Sequence, residues 1–166
     1  AHEFSIDSFT NKQPNYIFIA EDRSIWLATG EGLIHYDSNL KVIKSFYFGK
    51  SILALNEFGK HSFLVATSKG LYSTDLESDT LLLSDKNEIA DLTRPAFIVK
   101  DHRGLFWIGA NEGLVRLDPQ TRQTEIYDYS DNVQGNVWAL EPMFARNGKL
   151  FIGGNNGINY FDPDKI

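Results

Sequence analysis

Gly104–Pro119 reads G-L-F-W-I-G-A-N-E-G-L-V-R-L-D-P, and the rest of the chain echoes it. A short apolar run ends in small residues, a polar turn carries a glycine, a second apolar run follows, and an aspartate closes the unit. The same order recurs at Ser24–Ser38 and Gly148–Pro163, and in a more worn form at His61–Asp75. The turn glycines are Gly32, Gly70, Gly113 and Gly157, spaced by 38, 43 and 44 residues. Self-similarity at ~40–45 residues marks stacked supersecondary units, each too small to bury its own apolar surface.

The periodicity within each unit is that of strands; helical periodicity is essentially missing. Ile17–Ala20, Ile25–Thr29, Leu33–Tyr36 and Val42–Phe48 make one four-stranded antiparallel meander, joined by turns at Glu21–Ser24 and Gly30–Gly32. The second unit takes Ile52–Leu55, Phe63–Thr67, Leu71–Thr74 and Leu81–Leu83; the third takes Ala96–Lys100, Leu105–Ala110, Leu114–Leu117 and Glu125–Tyr129. The fourth has Val137–Leu140, Leu150–Gly153 and Ile158–Phe161, with an irregular stretch at Glu141–Phe144 around Pro142. The longest and most charged connection is Ser84–Arg94, which has room for a short helical turn. The fold expected is all-β: a single β-propeller domain over residues 1–166, with blades at about 16–48, 52–83, 95–129 and 137–163.

Glu3–Phe9 alternates apolar and polar and reads as an extra outer strand that belongs to none of the four units. Propellers often close by letting one terminus complete the blade begun by the other. Two geometries fit: a complete small ring, or an arc of a larger one. An open arc would expose broad apolar blade faces, which demand a cover. The expectation is closure on itself, a homodimer, or packing against further blades.

Counted from each turn glycine, position −6 is Trp26, Leu64, Trp107 and Phe151, and position −5 is Leu27, Val65, Ile108 and Ile152. Large apolar residues on both faces of one strand imply burial on both faces. Positions −4 and −3 are small, which lets neighbouring blades converge. The glycine is expected to supply positive φ in a tight hairpin. Asp37, Asp75, Asp118 and Asp162, at +5, would accept backbone N–H bonds in the next turn. Four equally spaced carboxylates invite a calcium or acid–base reading, but each recurs with its own turn and stands about a blade's width from the next. Trp26 and Trp107 read as core rather than as sugar platforms.

Composition narrows the functions. A net charge of −6 with no Lys/Arg cluster disfavours nucleic acid and anionic membrane as partners. Cysteine is absent, which removes disulfides, thiolate metal sites and cysteine nucleophiles. No leader sequence and no apolar run approaching ~18 residues occurs, so an exported or anchored protein would carry those segments elsewhere.

The four histidines, His2, His35, His61 and His102, fall at unrelated repeat positions, and no zincin, nucleophile-elbow or phosphate-loop pattern occurs. No catalytic residue, metal site or cofactor is expected. Ligands of a propeller usually meet the face made by the b–c turns and the connections between blades. There Asn, Gln, Glu, Arg and aromatic side chains are mixed, as a polyol or sugar requires. Arg94, Gln134, Asn136 and Trp138 crowd two adjacent connections, and Asn111 and Glu112 form the turn beside them; these six are the candidate ligand residues.

The repeat, W-[IL]-[GA]-[TA]-x-x-G-L-x-x-x-D-P, clearest at Trp107–Pro119 and then at Trp26–Asp37, resembles the two-component regulator propeller repeat. Val133–Asn136 and Asn147–Pro163 resemble that family's final blade. The resemblance implies the periplasmic sensor half of a hybrid receptor that carries its histidine kinase elsewhere and responds to glycan-derived oligosaccharides. The departures are four units where the family usually has seven, and a second copy lacking both Trp and Pro. Alternative readings are an intracellular protein-interaction propeller, which lacks the supporting Trp-Asp dipeptide, and an extracellular propeller lyase.

Overall fold

The computed structural model describes residues 13–59, 62–75, 88–139 and 141–166. They form four antiparallel sheets in chain order. Blade one is β1 (Pro14–Ile19), β2 (Ile25–Thr29), β3 (Gly32–Tyr36) and β4 (Val42–Tyr47). Blade two is β5 (Ile52–Gly59), β6 (Ser62–Thr67), β7 (Gly70–Asp75) and β8 (Glu88–Ala90). Blade three is β9 (Phe97–Lys100), β10 (Phe106–Ala110), β11 (Gly113–Leu117) and β12 (Thr124–Tyr127). Blade four is β13 (Met143–Phe144), β14 (Leu150–Gly154) and β15 (Gly157–Phe161). Each is an up-and-down meander, the unit of a β-propeller.

Two differences from the sequence reading have local causes. The fourth strand of blade two is β8, inside the stretch read as a linker, because Ala90 and Glu88 pair with Leu71 and Tyr72. Residues Leu81–Leu83 lie outside the described residues, as does the strand expected at Glu3–Phe9. The inner strand of blade four is split: Trp138 makes an isolated bridge to Gly154, and Met143 and Phe144, read as irregular, pair with Phe151 and Leu150. Pro142 stands between these two pairings, where its missing N–H breaks a continuous ladder.

Side chains opposite each other across a ladder share a face. Trp26 pairs with His35 and Ala28 with Leu33, so positions −6, −4, +1 and +3 form one face, here called the forward face. Leu27 and Ile25 pair with Ile34 and Tyr36 on the rear face. Forward faces pack on rear faces. Trp26, Ala28 and Leu33 of blade one meet Leu55, Phe63 and Val65 of blade two. Leu64, Ala66 and Leu71 of blade two meet Phe106, Ile108 and Val115 of blade three. Trp107 and Leu114 of blade three meet Leu150 and Ile152 of blade four.

Blade four breaks the series. Position +1 is 1%, 0% and 3% exposed at Leu33, Leu71 and Leu114, yet 66% exposed at Ile158. Met143, Phe151 and Tyr160 on the same face are exposed as well. The four sheets therefore form an open arc rather than a ring closed by blade-on-blade packing.

The repeat residues have separate jobs. Gly70, Gly113 and Gly157 have positive φ, whereas Gly32 does not. Gly32 is instead a site of close approach, where a Cβ would collide with the Phe46 carbonyl. Thr29 at −3 builds its turn by donating its hydroxyl to Gly32 O and accepting from the Glu31 and Gly32 N–H groups. Asp37 accepts from Asn39 N and Lys41 N, Asp118 from Gln120 N, and Asp162 from Asp164 N. These bonds hold the Asp118 and Asp162 carboxyls below the usual carboxylate range, through Gln120 N–H and Asp164 N–H first. Of Asp75 only the backbone, at the end of β7, is described.

Trp107 carries an additional anchor. Its indole N–H donates to Asp101 Oδ2 at 3.1 Å. The buried Asp101 also accepts from Arg103 N and Leu105 N, and Arg103 continues across to the carbonyl of Pro163 at 2.6 Å. One carboxylate thus ties the inner turn of blade three to the end of blade four.

Candidate ligand-binding mouth

The register fixes which end of each blade faces a ligand. Pro14 pairs with Thr29, Phe97 with Gly109, and Trp138 with Gly154. The inner strands thus start beside the b–c turns, and the space between their first residues opens on that face. This space is a cavity of ≈ 520 Å³, lined from all four blades by Asn15, Tyr16, Leu53, Phe97, Trp138 and Glu141 among others. Its volume falls within the ~300–1,000 Å³ typical of small-molecule sites.

Trp138 is positioned twice. Its ring meets Phe97 edge-on at 5.4 Å, and its indole N–H donates to Ala110 O at 3.0 Å. Gly109 makes this fit, since a Cβ there would run into both the Phe97 and Trp138 rings. The half-buried Trp138 leaves part of its surface to the mouth. Across from it, the Tyr16 hydroxyl lies beside the Glu141 carboxylate. Burial first, then the charge and the hydrogen bond of Glu141, push the Tyr16 phenol up to about 12. Asn15 is held by its own amide, which donates to Ser51 Oγ and Ile52 O.

The six residues singled out in the sequence lie along the rim between blades two, three and four. Glu112 accepts from the Thr93 N–H and hydroxyl, the latter at 2.6 Å, and so clamps the connection entering blade three. Arg94, next in that connection, is exposed with φ 51°. Asn111 N–H donates to Thr93 O, and Asn111 O accepts from Asn136 Nδ2 at 2.7 Å. Gln134 is fixed from three sides: its N–H donates to Asn159 Oδ1, its Oε1 accepts from Asn156 N, and its carbonyl accepts from Asn156 Nδ2. Its amide nitrogen is buried against Gly154 with no partner. Of the six, Trp138 reaches the mouth; Asn111, Glu112, Gln134 and Asn136 spend polar groups joining turns at its edge.

Sequence reasoning did not pick out Tyr16, Phe97, Asn15 or Glu141. The usable signal was positional: the first residues of successive inner strands must converge at the propeller axis. Glu141 carried no such signal, because it lies in the broken inner strand.

Elsewhere, His35 stacks on Trp26 at 3.8 Å beside a ≈ 200 Å³ cleft between blades one and two. Burial lowers its pKa, and Asp22 acts in the opposite sense. Among the described residues no group of three or more His, Asp or Glu converges as a metal site would. No helix among them is long and apolar enough to cross a membrane.

No family model matches the chain. It is 26% identical over 172 residues to a histidine kinase, P4, of Formosa agariphila, a match covering 96% of this chain and 12% of that protein. Its fold matches the extracellular domain of a hybrid two-component system of B. thetaiotaomicron, with TM-score 0.70 and 21% identity over 90% of this chain and 21% of the other. It also matches the WD40 β-propeller domain of Doa1, with TM-score 0.67 and 14% identity over 93% of this chain and 52% of that one. The chain has a propeller fold, and it spans 12% of the histidine kinase and 21% of the extracellular domain that it matches.

Proposed function

We propose that this chain is part of the periplasmic sensing region of a hybrid two-component receptor, and that it recognises oligosaccharides released from glycans. The observation that carries the reading is the mouth, where four blades bring three aromatic rings, Tyr16, Phe97 and Trp138, to a cavity with one carboxylate, Glu141. Sugars use such surroundings, with C–H faces on rings and hydroxyls on a few fixed polar groups. The relatives named above support the sensor assignment. In this reading the chain binds its ligand and catalyses no reaction. The exposed forward face of blade four is covered in the receptor, by further blades or by a second copy. A ligand seated among four inner strands shifts how the blades pack, and the shift biases a kinase elsewhere in the receptor.

Thermal-shift and calorimetric titration of an oligosaccharide panel tests this, with wild type and Trp138→Ala in parallel. Saturable binding that weakens at least tenfold in Trp138→Ala is the expected result. Binding of no saccharide, or binding indifferent to Trp138, rejects the mouth as the sensing site.

A further inference from the structure

The charge of the mouth says which saccharides it takes, an inference that rests on the sensing reading above. Among its described lining residues Glu141 is the one ionisable side chain apart from Tyr16, and none of them is a Lys or Arg. Arg94, Lys50 and Lys69, the cations on the connections and turns of this face, are not among the described lining residues. The remaining walls are aromatic or aliphatic, from Tyr16, Ile17, Leu53, Phe97 and Trp138. With the Tyr16 hydroxyl beside Glu141, the pair presents a carboxylate with no cation among the described lining residues.

We infer that the mouth selects uncharged oligosaccharides and rejects uronate-containing and sulfated ones. A neutral sugar ring lays its C–H face on the exposed part of Trp138 and gives a pair of hydroxyl hydrogens to the Glu141 carboxylate. A uronate would set a second carboxylate against the first, with nothing cationic among the described lining residues to offset it. At ~4 Å and an effective dielectric of ~20, such a like-charge pair weakens binding by on the order of a hundredfold or more.

The test titrates neutral cello-, xylo- and malto-oligosaccharides against oligogalacturonates and a sulfated disaccharide, with wild type and Glu141→Gln. Glu141 is exposed, and glutamine keeps an oxygen for the Tyr16 hydroxyl, so the variant is expected to fold; its unfolding curve checks this. The inference expects a neutral chain to bind the wild type and the anionic chains to bind at least a hundredfold more weakly. Glu141→Gln should then narrow that gap by tenfold or more, chiefly by improving the anionic ligands. Anionic chains binding the wild type as well as neutral ones overturns the charge selection and leaves the sensing reading standing. A gap unchanged in Glu141→Gln overturns Glu141 as its cause. If neither class binds, the sensing reading falls and this inference with it.

Discussion

Truncating one repeat position in two different blades should cost very different amounts. Trp107 and Phe151 both stand at −6, on forward faces. Trp107 is fully buried, its ring 4.7 Å from Phe161 of blade four. Replacing it with alanine leaves a closed cavity, worth ~3–5 kcal/mol. It also removes one of the donors to Asp101, a buried carboxylate, which adds ~1–2 kcal/mol. The expected loss is ~5 kcal/mol, a large share of the ~5–15 kcal/mol that holds a typical domain together. Phe151 is 39% exposed, and removing it opens a notch to solvent rather than a void. The apolar area still covered is worth ~1–2 kcal/mol. Urea unfolding of wild type, Trp107→Ala and Phe151→Ala at low protein concentration, with slopes compared before midpoints, measures both. Trp26 and Trp138 keep a fluorescence signal in the first variant. If Phe151→Ala costs within ~1 kcal/mol of Trp107→Ala, the forward face of blade four is covered, and the blade-phase reasoning fails.

Three further outcomes follow from local geometry. His35 has its pKa lowered by burial, so its contribution to stability is present above the ordinary value of 6.5 and is lost as pH falls towards the folded value. Midpoints taken from pH 7.5 to 5 should drop, and less so in His35→Gln. Gly113→Ala puts a Cβ at φ 133° against the Tyr127 carbonyl and should cost ~1–3 kcal/mol, whereas Gly30→Ala, with open space around it, should be nearly silent by thermal unfolding. Met143, the one methionine in the chain and 68% exposed, should be oxidised by peroxide at close to the rate of a free methionine peptide, read by intact mass; concentration-dependent protection would reveal a second copy on that face.

The succession of blades was legible in the sequence because its signal is redundant; whether they close was not. A turn glycine, an apolar strand before it and an aspartate after it recur four times, and each copy corrects the others. The worn second copy folds like the rest because Leu64 fills the place of a tryptophan in the same interface. Strand ends suffered where pairing depends on distant partners: β8 is set by Leu71 and Tyr72, and β13 by Leu150 and Phe151. At Gly32 the residue was right and the expected reason was not, because backbone crowding is invisible in a pattern of letters. The mouth was hardest to read. Tyr16, Phe97 and Glu141 are far apart in the chain, and what unites them is convergence on an axis, which no local motif encodes. The rim residues were easier to find, since turn-forming Asn, Gln and Glu are conspicuous in sequence whether they serve a ligand or only a turn.

The uneven cover on the two sides of blade four bears on how this molecule comes apart. In a linear array each module is secured by its neighbours, so one with a neighbour on a single side has the least to lose by opening. Amide exchange should reach Phe151–Ile152 and Ile158–Tyr160 well before the matching strands of blade three, and a protease should enter there first. Trp138 and Glu141, which line the mouth, lead into that same module. A guest held between them would tighten the loosest joint in the assembly, and a small occupancy could be felt as a change in rigidity rather than in shape.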